Sequence, residues 1–172
     1  MKQIFTVMLA VMAMAAMAAE TAIELKKKSD VTGYGNAKYY LAKPVVSVAD
    51  GVAKVVCGKT AEGVRPINYQ FAVRSAMKYT AGMTYTITFT LKSNKDVSKS
   101  GAANFQMGTA PYKIFARTAI RLTADEPKEF TITAQMTEDV AVPTCIPCLH
   151  IPLTEGQSLE ISNVKIAEAP TK

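Results

Sequence analysis

The sequence predicts an all-β protein, an antiparallel jelly-roll β-sandwich, and three observations point to it. The first is the stretch Met83 to Leu91, where Tyr85, Ile87, Phe89 and Leu91 alternate with Thr84, Thr86, Thr88 and Thr90. Strict alternation of aromatic and β-branched residues puts the two sets on opposite faces of an extended chain, one for a core and one for solvent. The second is punctuation: Gly, Pro, Asn and Asp clusters cut the chain into short apolar runs. The third is the lack of any stretch beyond the N-terminal segment that holds an apolar period of about 3.6 residues over three turns. Roughly eight to ten short strands divided by turns fit a sandwich closed by Greek-key connections.

Taken in order, the chain opens with Lys2, an apolar run from Ile4 to Met17, and Ala16-Met17-Ala18. A charged start, an apolar middle and a small-residue cleavage pattern read as a secretory signal peptide over residues 1–19. That places the protein outside the cytoplasm, secreted or periplasmic in the cell envelope, with no transmembrane span once the segment is removed. A single domain is expected over 20–167, with a short polar tail at 168–172 expected to fray.

Within the domain, a first short strand is expected near Ile23 to Leu25. Asp50-Gly51 stands between Val45–Val48 and Val52–Cys57 and predicts a hairpin. Asn68 to Arg74 alternates, with Tyr69, Phe71 and Val73 on one side. Lys95 to Gly101 reads as a polar connection, followed by a short strand Ala103 to Met107. Ile114 to Leu122 and Phe130 to Met136 are further strands. Pro143, Pro147 and Pro152 bracket Cys145 to Ile151, which predicts an edge or bulged strand, because proline has no N–H to give a ladder. In the last strand Leu159 and Ile161 are out of phase with Val164 and Ile166, so one extra residue near Ser162-Asn163 is required. The expected core contains Phe71, Tyr85, Ile87, Phe89, Phe105, Phe130, Ile132, Ile161 and Val164.

Several function classes are excluded by composition. His150 is the single histidine and no Gly-x-Ser-x-Gly elbow occurs, so nucleophilic hydrolysis lacks its parts. The carboxylates are scattered through turns rather than paired, against a glycosidase. No Gly-rich loop opens a helix, so no phosphate-bearing cofactor is expected. The formal net charge is +6, but Lys26-Lys27-Lys28 is the only basic run and no aromatics are interleaved with it. Nucleic acid is therefore not an expected partner.

Cys57, Cys145 and Cys148 are the only cysteines. Export permits oxidation, so Cys145 or Cys148 is expected in a structural disulfide, with each other or with Cys57, the pairing left open. Cys145-Ile146-Pro147-Cys148 has the spacing of a redox motif, yet its prolines deny the helix N-terminus that would lower a thiol pKa. Together with His150 the cysteines match zinc ligand types, but their spacing is unusual and no metal is expected.

The outward sides of two strands carry the best candidate site. Asn68, Gln70 and Arg74 from one strand, and Asn104 and Gln106 from another, present amides and a guanidinium, which donate to and accept from hydroxyls. Tyr112, with Tyr34, Tyr39 and Tyr40, offers stacking faces from loops.

Ala81-Gly82-Met83-Thr84-Tyr85-Thr86-Ile87-Thr88-Phe89 resembles the G-x-x-Y-x-ϕ-x-F strand of secreted carbohydrate-binding modules with a galactose-binding-like jelly roll, the cellulose-, xylan- and laminarin-binding type. Asn68-Tyr69-Gln70-Phe71, Glu126 to Thr131 and Gly156 to Ile166 resemble flanking strands of the same group. The resemblance spans roughly Asp50 to Ile166. It implies a non-catalytic module that recognises a poly- or oligosaccharide. The chain departs from the group in having no tryptophan, and in carrying Asn163 where an aspartate helps hold a structural calcium. A structural or protein-interaction domain of the cell envelope, with a protein partner, is the alternative.

Overall fold

The computed structural model describes residues 19–34, 43–59, 67–141 and 143–171. Residues 1–18, Tyr39, Tyr40 and most of the loop expected after Gly58 lie outside these. Eleven strands form two antiparallel sheets packed face to face: β1 (Ala19–Ala22), β2 (Val31–Tyr34), β3 (Val45–Ala49), β4 (Val52–Val56), β5 (Ile67–Ser75), β6 (Met83–Ser93), β7 (Val97–Met107), β8 (Ile114–Leu122), β9 (Lys128–Gln135), β10 (Thr144–Leu153) and β11 (Ser158–Pro170). One sheet runs β3-β4-β11-β6-β9, with β1 also paired to β11; the other runs β2-β5-β10-β7-β8. We call them the first and second sheet. The architecture is the expected jelly-roll sandwich.

The alternating stretch around Tyr85 is the spine of the first sheet. Tyr85 is 1% exposed, and Ile87, Phe89 and Leu91 are fully buried. Phe89 stacks on Phe130 of the adjacent β9 at 5.9 Å. Every residue expected in the core is buried. At one end Tyr79 closes the sandwich: its ring lies 4.9 Å from both Tyr85 and Phe105. Its hydroxyl donates to Ser75 Oγ at 3.2 Å and accepts from Thr144 Oγ1 at 3.0 Å, so a buried hydroxyl is satisfied from two strands of the second sheet. At the other end Gln157 Nε2 donates to Ser93 Oγ at 3.0 Å.

Local signals place the turns. Asp50 (φ 51°) and Gly51 (φ 75°) are both left-handed, the two-residue geometry that matches strand twist, and they join β3 to β4. The phase change in β11 is a bulge: the register to β6 shifts between Ser162 and Lys165, with Asn163 at φ 52°.

Four expectations are corrected. The first strand is Ala19–Ala22, displaced from Ile23–Leu25; it pairs with β11, beginning one residue inside the expected signal peptide. Lys95–Gly101 is not a connection: β7 begins at Val97, and a register shift between Val97 and Gly101 interrupts the alternation that would reveal it. β10 is not an edge strand. It is the middle strand of the second sheet, and its bulge between Cys145 and Cys148 takes Pro147 out of the ladder. Residues 168–171 of the expected tail do not fray, because Glu168, Ala169 and Pro170 pair with β6 and the Thr171 N–H donates to Gly82 O at 2.9 Å.

Candidate functional site

The bulge in β10 sets which of its residues turn away from the core. Ile146, Leu149 and Ile151 point into the sandwich and are fully buried. Cys145, Cys148 and His150 therefore fall on the outward face, where Cys145 and Cys148 form a small apolar cluster with Ala72, separate from the main core. Strand register then defines rows across this face. Arg74, Cys145, Gln106 and Ile114 form one row; Thr32, Ala72, Cys148, Asn104 and Arg117 the next; Gln70, His150, Ala102 and Ala119 a third.

Four of the six expected binding residues, Gln70, Arg74, Asn104 and Gln106, share this face. Asn68 pairs with Pro152 through its backbone, one step further along β5. Tyr112 stands apart from the rows, at the tip of the β7–β8 hairpin. It is 59% exposed, with φ 55° and its N–H donating to Thr109 O at 2.8 Å. The backbone of Tyr34 pairs with Gln70.

The centre of the face is polar and buried together. Asn104 is 3% and Gln106 7% exposed. Asn104 Nδ2 donates to Gln106 Oε1 at 3.0 Å, while Asn104 Oδ1 has no hydrogen-bond partner. A buried carbonyl oxygen without a donor costs free energy.

Two residues absent from the sequence-based site join it. Arg117 is exposed next to Asn104 in the same row, and His150 is half-buried beside Gln70. The phase of Ile114 to Leu122 places Arg117 outward, but the bulge opposite Phe105 and Gln106 obscures that phase in the sequence. His150 Nε2 lies 3.5 Å from Cys148 Sγ. Burial, reinforced by the Arg117 charge, holds the imidazole pKa below its ordinary value, so His150 is neutral at pH 7.

The expected disulfide is not formed, and all three cysteines are free thiols. Cys57 belongs to the main core while the other two lie outside it on the second sheet. Burial pushes the Cys148 thiol up to about 12, and burial also raises Cys57 and Cys145. Protonated buried thiols are poor nucleophiles and poor metal ligands at neutral pH. Among the described residues no group of three or more His, Cys, Asp or Glu is arranged to hold a metal. No described helix is long and apolar enough to cross a membrane.

On the first sheet Lys54 meets Glu160 at 2.8 Å and Lys165 meets Glu20 at 3.3 Å. On the second, Arg74 and Arg117 have no ion pair among the described residues, and the three rows contain no Asp or Glu. A cavity of about 300 Å³ lined by Asp96, Val97, Arg121 and Lys128 lies beyond these rows, at the edge where β8 meets β9.

No family model and no curated protein matches this chain. Solved structures do. A carbohydrate-binding module, CBM4, superposes with a TM-score of 0.59 at 18% identity, covering 81% of this chain and 86% of that one. The N-terminal cellulose-binding domain of Cellulomonas fimi β-1,4-glucanase C gives a TM-score of 0.55 at 18% identity, over 84% and 91% of the two chains. The fold is that of carbohydrate-binding modules. An apo cyclase from Fischerella sp. also shares it, with a TM-score of 0.54 at 12% identity over 90% and 89%. At such identities the likeness establishes the fold alone, and function rests on the site.

Proposed function

We propose that this chain is an exported, non-catalytic module that binds a glycan on the outward face of its second sheet. The observation that carries the reading is the convergence of Gln70, Asn104 and Gln106 on one face around a buried, partnerless Asn104 Oδ1. Primary amides suit sugar hydroxyls because both groups donate and accept. The carbohydrate-binding modules that share the fold support it, as does the signal-peptide pattern of residues 1–19. Tyr112, exposed at the hairpin tip, is available to stack on a sugar ring. The protein-interaction alternative draws on the lack of tryptophan.

Affinity electrophoresis and calorimetry against a panel of soluble and insoluble polysaccharides test the proposal. Binding is expected, and Gln70→Ala should weaken it about tenfold with the melting temperature nearly unchanged, since a half-buried outward residue contributes little to the core. Failure to bind any polysaccharide overturns the glycan reading.

A further inference from the structure

We infer that the face selects a polysaccharide that carries uronic acids among neutral sugars, with Arg74 and Arg117 receiving carboxylates and the Asn104–Gln106 pair receiving hydroxyls. The inference rests on the glycan-binding reading and names the ligand class for the same face.

Two independent observations lead there. The first is charge. Arg74 and Arg117 sit at opposite sides of the floor, both exposed and without an acidic partner among the described residues, whereas Lys54 and Lys165 on the other sheet are each paired with a carboxylate. An exposed guanidinium with no acid around it offers its planar fork to a carboxylate from solution, a charge-assisted and often bidentate contact. The second is the orphaned acceptor. Asn104 Oδ1 is buried and repels an anion, so the centre of the face needs a donor such as a sugar hydroxyl. A purely anionic chain would set a negative group over that oxygen.

Register fixes the spacing of these demands. Arg74 on β5 and Arg117 on β8 are separated by β10 and β7, three strand intervals or about 14 Å across the strands at the usual inter-strand distance, and by one row, about 7 Å, along them. Between them lie thiols, amides and alanine, with His150 neutral. The pattern is cation, neutral hydrogen-bonding floor, cation. It matches acidic sugars interspersed with neutral ones and opposes a densely sulfated chain, whose anions would lie over a floor with no cation beneath.

The test compares glucuronoxylan with the same polymer after its carboxyl groups have been reduced to alcohols, by calorimetry on the full chain. The acidic form should bind at least tenfold more tightly, with an advantage that shrinks as salt rises to about 1 M. Arg117→Gln and Arg74→Gln should each remove most of that advantage, weakening binding of the acidic polymer far more than that of the reduced one; exposed side chains can be replaced without unfolding the domain, which a melting curve verifies. Equal affinity for both polymers overturns this inference and leaves the glycan reading standing. Binding to neither polymer, nor to any other on a polysaccharide panel, overturns both. Equal binding of dextran sulfate or single-stranded DNA overturns it as well, because charge alone would then suffice.

Discussion

Replacing Asn104 by Leu together with Gln106 by Met should make the protein more stable and unable to bind the proposed glycan. The wild-type pair contains one neutral hydrogen bond, 3.0 Å between Asn104 Nδ2 and Gln106 Oε1, and one buried carbonyl oxygen with no partner. Such a bond contributes about 0.5–1.5 kcal/mol, whereas an orphaned buried acceptor costs about 1–3 kcal/mol. Leu and Met are close in volume to the amides they replace and cover the same buried patch, so removing both groups together leaves no polar atom stranded. The balance favours the double variant by about 1 kcal/mol, or roughly 2–4 °C in melting temperature for a domain of this size. Gln106→Met alone behaves oppositely: it strands Asn104 Nδ2 as well as Oδ1 and should cost about 1–3 kcal/mol. Thermal and urea unfolding of the four members of the cycle measure both effects. A double variant that loses stability by a similar amount would refute the reasoning. It would mean that Asn104 Oδ1 is satisfied by ordered water and that the pair is structural.

The remaining expectations concern core, thiols and pH. Phe89→Ala removes a fully buried ring stacked on Phe130 and should cost about 3–5 kcal/mol by denaturant unfolding; a loss below about 1 kcal/mol would contradict the packing. At pH 8 a disulfide-exchange reagent should leave all three thiols of the folded protein nearly unreacted and label all three after unfolding; labelling of only one after unfolding would reveal a disulfide. Because burial lowers the His150 pKa in the fold, the unfolded chain takes up that proton first. Stability should therefore decline as pH falls below the ordinary histidine value near 6.5 and level off below the depressed folded pKa. His150→Gln should flatten that part of the pH–stability curve, and an unchanged curve would count against a desolvated imidazole.

Much of this molecule is determined by the sequence alone, and the reason is periodicity. The alternation from Tyr85 to Leu91 fixes which face is buried, because a strand has only two faces. Asp50-Gly51 fixes a hairpin because the two-residue turn demands positive φ at both positions. The phase change after Ile161 locates the bulge at Asn163 because an inward face must be restored. The outward amides of β5 and β7 follow from the same rule. Tertiary structure alone decides which strands become neighbours. Nothing local says that β10 lies between β5 and β7, since its prolines argue for an edge and only a bulge at Pro147 lets it stay in the middle of the sheet. That placement brings Gln70 and Arg74 across from Asn104, Gln106 and Arg117. It also separates Cys57 from Cys145 and Cys148, and leaves Asn104 Oδ1 buried without a donor. Pairing between strands far apart in sequence is a property of the whole chain, won by the burial of both sheets' inner faces at once, and no window of residues contains it.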